Sequence, residues 1–118
     1  MDDTDPFSKT ETQRSFAAGQ TIVLAEEPGD NMFIVVEGQV DILARNQVIE
    51  TVGPGGILGE LALIDDKPRS ASAIARTDCL LTLVTRSHFL LLVQRTPVFA
   101  LQVMRVMSER LRRETTRA

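Results

Sequence analysis

Residues 55–73 read GGILGELALIDDKPRSASA, and this stretch divides the chain into two kinds of architecture. All seven glycines fall between Gly19 and Gly59, so the chain is punctuated by turns up to this point and not beyond it. Inside the stretch the residue types have separate physical uses. Gly59 lets backbone approach a neighbouring group closely, and Leu61, Ala62 and Leu63 can form a short helical turn whose N-terminal amides favour a phosphate. Pro68 stiffens the return, and Arg69 supplies a planar fork for bidentate contact with phosphate oxygens. Glu60 suits such a place only if it accepts from a hydroxyl with a cation nearby. Spacing alone leaves two readings equally open: Glu60 and Arg69 serve a ligand bearing a phosphate and a hydroxyl, or they form an ion pair that braces the loop. Asp65 and Asp66 read as a polar turn.

Upstream, short β-rich runs alternate with turn clusters. Thr21, Ile22, Val23 and Leu24 lead into Glu27-Pro28-Gly29-Asp30, and the apolar run 32–36 leads into Glu37-Gly38. Val40 and Ile42 alternate with Gln39 and Asp41 as one buried face requires, and Arg45-Asn46-Gln47 can turn the chain into Val48, Ile49 and Val52, a hairpin. Ala71, Ala73 and Ala75 alternate with Ser70, Ser72 and Ile74, and 79–84 supply a further strand. Seven or eight strands at this spacing predict an antiparallel barrel or sandwich over residues 15–85.

After Val84 the period changes, with Thr85 placed to cap a helix through His88, Phe89, Leu92 and Val93. Pro97 ends that helix and opens a second, which the pattern carries to about residue 113. At 100° per residue, Phe99, Ala100, Val103, Met104, Val106, Met107 and Leu111 fill an apolar arc of about 160°, and Arg110 falls inside it. The whole is predicted as one domain, 1–118: a loose arm over 1–14 with Phe7 as its one anchor, then a mainly β body, then helices over 86–118.

Bulk properties exclude several function classes. A formal net charge of −3 argues against a nucleic-acid partner, and the arginine-rich end reads as a solvated helix face. Cys79 is the single cysteine, so no internal disulfide forms, and its apolar surroundings predict a buried, inert thiol. No uninterrupted apolar run approaches the ~18 residues of a membrane span, and the first residues lack a signal-peptide pattern, so the expected location is cytoplasmic. The one histidine, His88, falls on a predicted helix. That leaves too few imidazoles for metal-dependent chemistry on a barrel, and no nucleophile is paired with a base. No cofactor and no enzymatic activity are expected.

The stretch 55–73 resembles the phosphate-binding cassette of cyclic nucleotide-binding domains. Besides GELAL and PRSA at the family's spacing, Gly19, Glu27-Pro28-Gly29-Asp30, Phe33-Ile34-Val35, Glu37-Gly38 and Gly53-Pro54-Gly55 stand in the family's order, so the resemblance runs from about Phe16 onward. It implies a jelly-roll (cupin-like) β-barrel with two helices after it, and a nucleotide beneath the cassette. By that resemblance Arg69 pairs with the cyclic phosphate and Glu60 accepts from the ribose 2′-hydroxyl. Backbone at Gly59, Leu61, Ala62 and Ala71 completes the cradle, with Ser70 adding a hydroxyl. Ile42 and Ile49 would line ribose and base, and Arg110 would stack on the base from the last helix.

The ligand implied is cyclic AMP, with cyclic GMP admitted, because members that favour guanine often carry threonine where this chain has Ser70. A protein effector is implied, and the stripe bearing Met104, Met107 and Leu111 serves either a homodimer or packing on the barrel. Three features depart from the family pattern. The helices that precede the barrel in channel and kinase members are replaced by the short arm, no helix-turn-helix follows the last helix, and Ile57 and Leu58 replace a common aromatic. The pattern is that of a bacterial stand-alone sensor module. The alternative is an interaction module that keeps the fold without ligand; against it stands the retention of both Glu60 and Arg69, two charges that an empty pocket would strand.

Overall fold

Alternation of apolar and polar residues is what places the strands. The computed structural model describes residues 12–65 and 67–117, with side chains to Arg113. Eight strands form: β1 (Gln13–Phe16), β2 (Thr21–Val23), β3 (Asn31–Glu37), β4 (Val40–Ala44), β5 (Gln47–Val52), β6 (Ile57–Leu58), β7 (Ser72–Ala75) and β8 (Cys79–Thr85). They pair into two antiparallel four-stranded sheets, ordered β1-β8-β3-β6 and β2-β7-β4-β5. The expected jelly roll with two helices after it is present, and since no described strand belongs to both sheets it is an open sandwich and not a closed barrel. Side chains rather than a continuous hydrogen-bond ladder close it, with Phe33, Val35 and Leu81 meeting Val40, Val52 and Ala73 between the sheets.

Strand β1 begins inside the stretch expected to be an arm; the rest of that arm, Phe7 included, lies outside the described residues, as does Asp66. The β4–β5 hairpin turns through Arg45 (φ 54°) and Asn46 (φ 64°), the paired left-handed conformation that matches strand twist in tight hairpins. Beyond the turn the register slips, with Ile42 opposite Glu50 and Leu43 opposite Val48. Ile49 is thus the extra residue of a bulge, and the strict alternation of β5 fails there.

Helix α1 (Arg86–Arg95) starts where Thr85 accepts from the His88 amide at 3.2 Å, as the sequence predicts. Helix α2 (Pro97–Arg117) runs one turn further than the pattern suggested. Both cover the outer face of the first sheet: Met32 and Val84, the neighbours of inward-facing Phe33 and Leu83, point the other way and meet Phe89, Leu92, Phe99 and Val103. The rings of Phe89 and Phe99 touch edge to face, with centroids 5.8 Å apart, and lock α1 to α2. Among the described residues no single helix is long and apolar enough to cross a membrane.

Candidate functional site

A pocket of about 630 Å³ opens between the second sheet, the loop 59–71 and the last turns of α2. Its walls are mostly apolar and its size suits one small organic ligand. All ten residues singled out from the sequence line it: Ile42, Ile49, Gly59, Glu60, Leu61, Ala62, Arg69, Ser70, Ala71 and Arg110. Ile49 reaches it because of the bulge in β5, which brings Ile49 to the cavity that Glu50 already faces by alternation from Val52.

The loop is built on one short 3₁₀ helix, Glu60–Leu63, entered through Gly59 at φ 78°. The amide of Ala62 donates to the Gly59 carbonyl at 3.2 Å, so this amide, expected in the anion cradle, is already used in the turn. Arg86, at the start of α1, donates to the carbonyls of Ala62 (3.1 Å) and Leu63 (3.2 Å) and holds the far end of that turn.

Arg69 is fixed by its backbone. Its amide donates to the Glu27 carbonyl at 3.0 Å and its carbonyl accepts from the Glu26 amide at 2.8 Å. The guanidinium lies between two glycines: a Cβ added to Gly29 would sit 2.5 Å from both Nε and Nη2, and one added to Gly59 would sit 2.8 Å from Nη1. The turn residue Gly29 therefore has a second use as the slot for Arg69, which the sequence does not display. Nη2 donates to the Asn31 carbonyl at 3.0 Å, and no carboxylate lies within ion-pair distance among the described residues. Half-burial pushes the guanidinium below its ordinary range, and the more distant charge of Asp30 only partly offsets this.

Glu60 is 3% exposed and its partner is Arg110, not Arg69, at 2.6 Å. The loop-bracing ion pair between Glu60 and Arg69 is therefore absent. Arg110 also donates through Nε and Nη2 to Glu50 at 2.9 and 3.2 Å, and through Nη2 to the Ile57 carbonyl at 2.8 Å. Arg113 adds a bond to Glu50 at 2.9 Å. Arg110 thus does stand at the pocket wall, with the edge of its guanidinium bonded to two carboxylates. Burial works to raise the Glu50 carboxyl, and the bonds and charges of Arg110 and Arg113 outweigh it and hold the group below the usual carboxylate range.

Sequence reasoning missed Glu50 and Arg113. The signal was available in part, because an arginine inside an apolar arc demands a buried acceptor.

Among the described residues, the charged groups on the wall are Glu50, Glu60, Arg69, Arg110 and Arg113, three guanidiniums against two carboxylates. Four of the five neutralise one another, leaving one positive charge, at Arg69. Among the described residues Ser70, Ser72 and Ser108 are the hydroxyls on this wall, and no imidazole lines it. Ser72 Oγ already accepts from the Ala25 amide at 2.9 Å. Such a cavity can hold a singly charged anion with an apolar body and a hydroxyl group; it has no paired nucleophile and base. Among the described residues no cluster of histidine, cysteine, aspartate or glutamate is placed to hold a metal ion.

Comparison with known proteins agrees with this geometry. The family model for the cyclic nucleotide-binding domain matches residues 13–96. A cyclic nucleotide-gated potassium channel of Mesorhizobium japonicum is 41% identical over 87 residues, which are 74% of this chain and 24% of the channel. A cAMP-dependent protein kinase regulatory subunit of Eremothecium gossypii is 38% identical over 77 residues, 65% of this chain and 17% of that protein. The chain thus spans a quarter or less of the length of these two relatives. Among solved structures, the catabolite activator protein of Thermus thermophilus superposes with a TM-score of 0.79 at 29% identity, over 88% of this chain and 51% of that one.

Proposed function

This chain belongs to the cyclic nucleotide-binding domain family, and from that premise we propose that its pocket binds a cyclic nucleotide, cyclic AMP in preference, as a sensor that performs no chemistry on it. The observation that carries the reading is Arg69, among the described residues the one charge on the wall without an ion-pair partner, seated between Gly29 and Gly59 at the edge of a mostly apolar cavity. A cyclic phosphodiester carries one negative charge and matches it. Glu60 donates nothing and has only Oε1 engaged by Arg110, which leaves Oε2 to accept from a ribose 2′-hydroxyl. Ile42, Ile49 and Met107 offer apolar surface to the base. Against the interaction module without ligand stands the same Arg69, whose burial without an anion is unfavourable.

Calorimetric titration with cyclic AMP, cyclic GMP and 5′-AMP tests this directly. 5′-AMP brings a monoester charge of about −1.5 to −2 at neutral pH, more than the pocket compensates, so it is expected to bind about tenfold or more weaker than cyclic AMP. Cyclic GMP is expected to bind modestly weaker, since Ser70 lacks the methyl of threonine. Equal affinity for 5′-AMP would remove the charge argument, and tighter cyclic GMP would reverse the base preference. The partners proposed beyond the ligand are an effector protein and a second copy through α2, where Met104 (58% exposed) and Leu111 (69% exposed) remain uncovered. Light scattering on the same solutions reads the second copy as a doubled mass; a monomer with and without ligand excludes it.

Gly29→Ala is the quieter test of the site. The new methyl would strike the guanidinium, the far end of a flexible side chain, and not backbone. Affinity for cyclic AMP is expected to fall about tenfold or more, because Arg69 must leave its aim while the turn keeps its backbone. The melting temperature should hardly move. Parent-like affinity would show that Arg69 does not need this seat.

A further inference from the structure

The last helix reaches the pocket with two arginines, and both end on one carboxylate. Glu50 accepts from Arg110 Nε and Nη2 and from Arg113 Nη1, three bonds of 2.9, 3.2 and 2.9 Å. Glu50 faces inward by plain alternation, two residues from buried Val52 and opposite Ile42, and the extra residue Ile49 brings a second side chain of β5 to the same cavity. The contact spans the fold, from the second sheet across the cavity to a helix that otherwise packs on the first sheet through Phe99 and Val103. Val106 and Met107 pack against the core that covers the first sheet, but beyond them the described side chain Leu111 is largely exposed, so among the described residues the turn bearing Arg110 and Arg113 is held by these polar bonds.

We infer that Glu50 is a positioning residue, the anchor by which the second sheet holds the last turns of α2 across the pocket, acting through Arg110 and Arg113. Two consequences follow from the bond pattern. Occupying Nε and Nη2 leaves Nη1 of Arg110 aimed at Glu60, so Glu50 also sets how Glu60 is presented. The same anchor keeps Met107 and Ser108 at the cavity wall, so the shape offered to a base depends on a residue remote from the phosphate end. The effect on a ligand rests on the nucleotide reading of the pocket; the anchoring of the helix does not.

Glu50→Gln keeps the shape and removes the charge. In the ligand-free protein, hydrogen exchange over 106–113 is expected to accelerate about tenfold, while 31–37 and 79–85 keep parent rates and certify the fold. Glu50→Asp should recover part of the protection. Combined with Arg113→Gln, the effect should be smaller than the sum of the two single changes, because both remove the same bond. Cyclic AMP affinity of Glu50→Gln should fall by about fivefold to tenfold. Parent-like exchange over 106–113, or additive effects with Arg113→Gln, would overturn the anchor. Faster exchange with unchanged affinity would overturn its link to the ligand, whereas a parent protein that binds no cyclic nucleotide would sink the pocket reading and leave the exchange result standing.

Discussion

Arg69→Ala is expected to lower affinity for cyclic AMP by about 10²- to 10³-fold with the free protein still folded. The magnitude follows from position. A half-buried guanidinium facing an anion in a mostly apolar cavity contributes about 3–4 kcal/mol when its removal leaves the partner charge unmatched. The fold should survive because Arg69 is held by main-chain bonds to Glu26 and Glu27, which alanine retains. Among the described residues the side-chain bond lost is the one donated to the Asn31 carbonyl, and with it goes the unfavourable burial of a cation. Titration calorimetry reads the affinity and a ligand-free melt reads the stability. Unchanged affinity would remove Arg69 from the site, and a large drop in the melting temperature would show the side chain to be structural. Gly29→Ala should fall between the parent and Arg69→Ala, since it displaces the fork without deleting it.

Why Arg69 was legible in the sequence and Glu50 was not is a matter of range. Gly59, Glu60, Pro68 and Arg69 lie within one short loop, so their spacing fixes their juxtaposition whatever the rest of the chain does. The strands were legible for the same reason: the alternation at Val40 and Ile42 and the turn at Arg45-Asn46 are local. Glu50 owes its role to Arg110 and Arg113, 60 and 63 residues further along the chain, a meeting of strand and helix that a single sequence does not record. Alternation counted from buried Val52 puts Glu50 on the inward face and Ile49 on the other; the slipped register brings Ile49 to the cavity as well and leaves Val48 exposed. The jelly roll was legible, but whether it closes was not, because period-2 patterning predicts buried faces and says nothing about whether two sheet edges meet. Gly29 shows a third limit. Its turn chemistry was plain, yet its contact with Arg69 joins residues far apart in the chain.

Arg110→Ala separates two uses of the arginine on α2. Stacking on a base would make it a ligand contact, and its loss would weaken binding by about 1–2 kcal/mol with stability untouched. The bonds to Glu50, Glu60 and the Ile57 carbonyl make a different case. Removing the guanidinium strands Glu60, 3% exposed, and takes from Glu50 two of its three bonds. Breaking a buried pair costs about 3–5 kcal/mol; with Arg110 21% exposed and Arg113 still on Glu50, about 2–3 kcal/mol of stability is expected to go. Denaturant unfolding of the ligand-free protein measures it. The double variant Arg110→Ala with Glu60→Gln should recover about half, since it neutralises the stranded carboxylate. The pH dependence has a definite sign. Because the arginines hold Glu50 below its ordinary pKa, its share of stability is complete above the carboxylate range and is lost as pH falls through the lowered value. The gap between parent and Arg110→Ala should therefore be full at neutral pH and shrink on acidification. A gap that stays constant into acid, or a variant as stable as the parent but weaker for cyclic AMP, would return Arg110 to the role of a cap on the base.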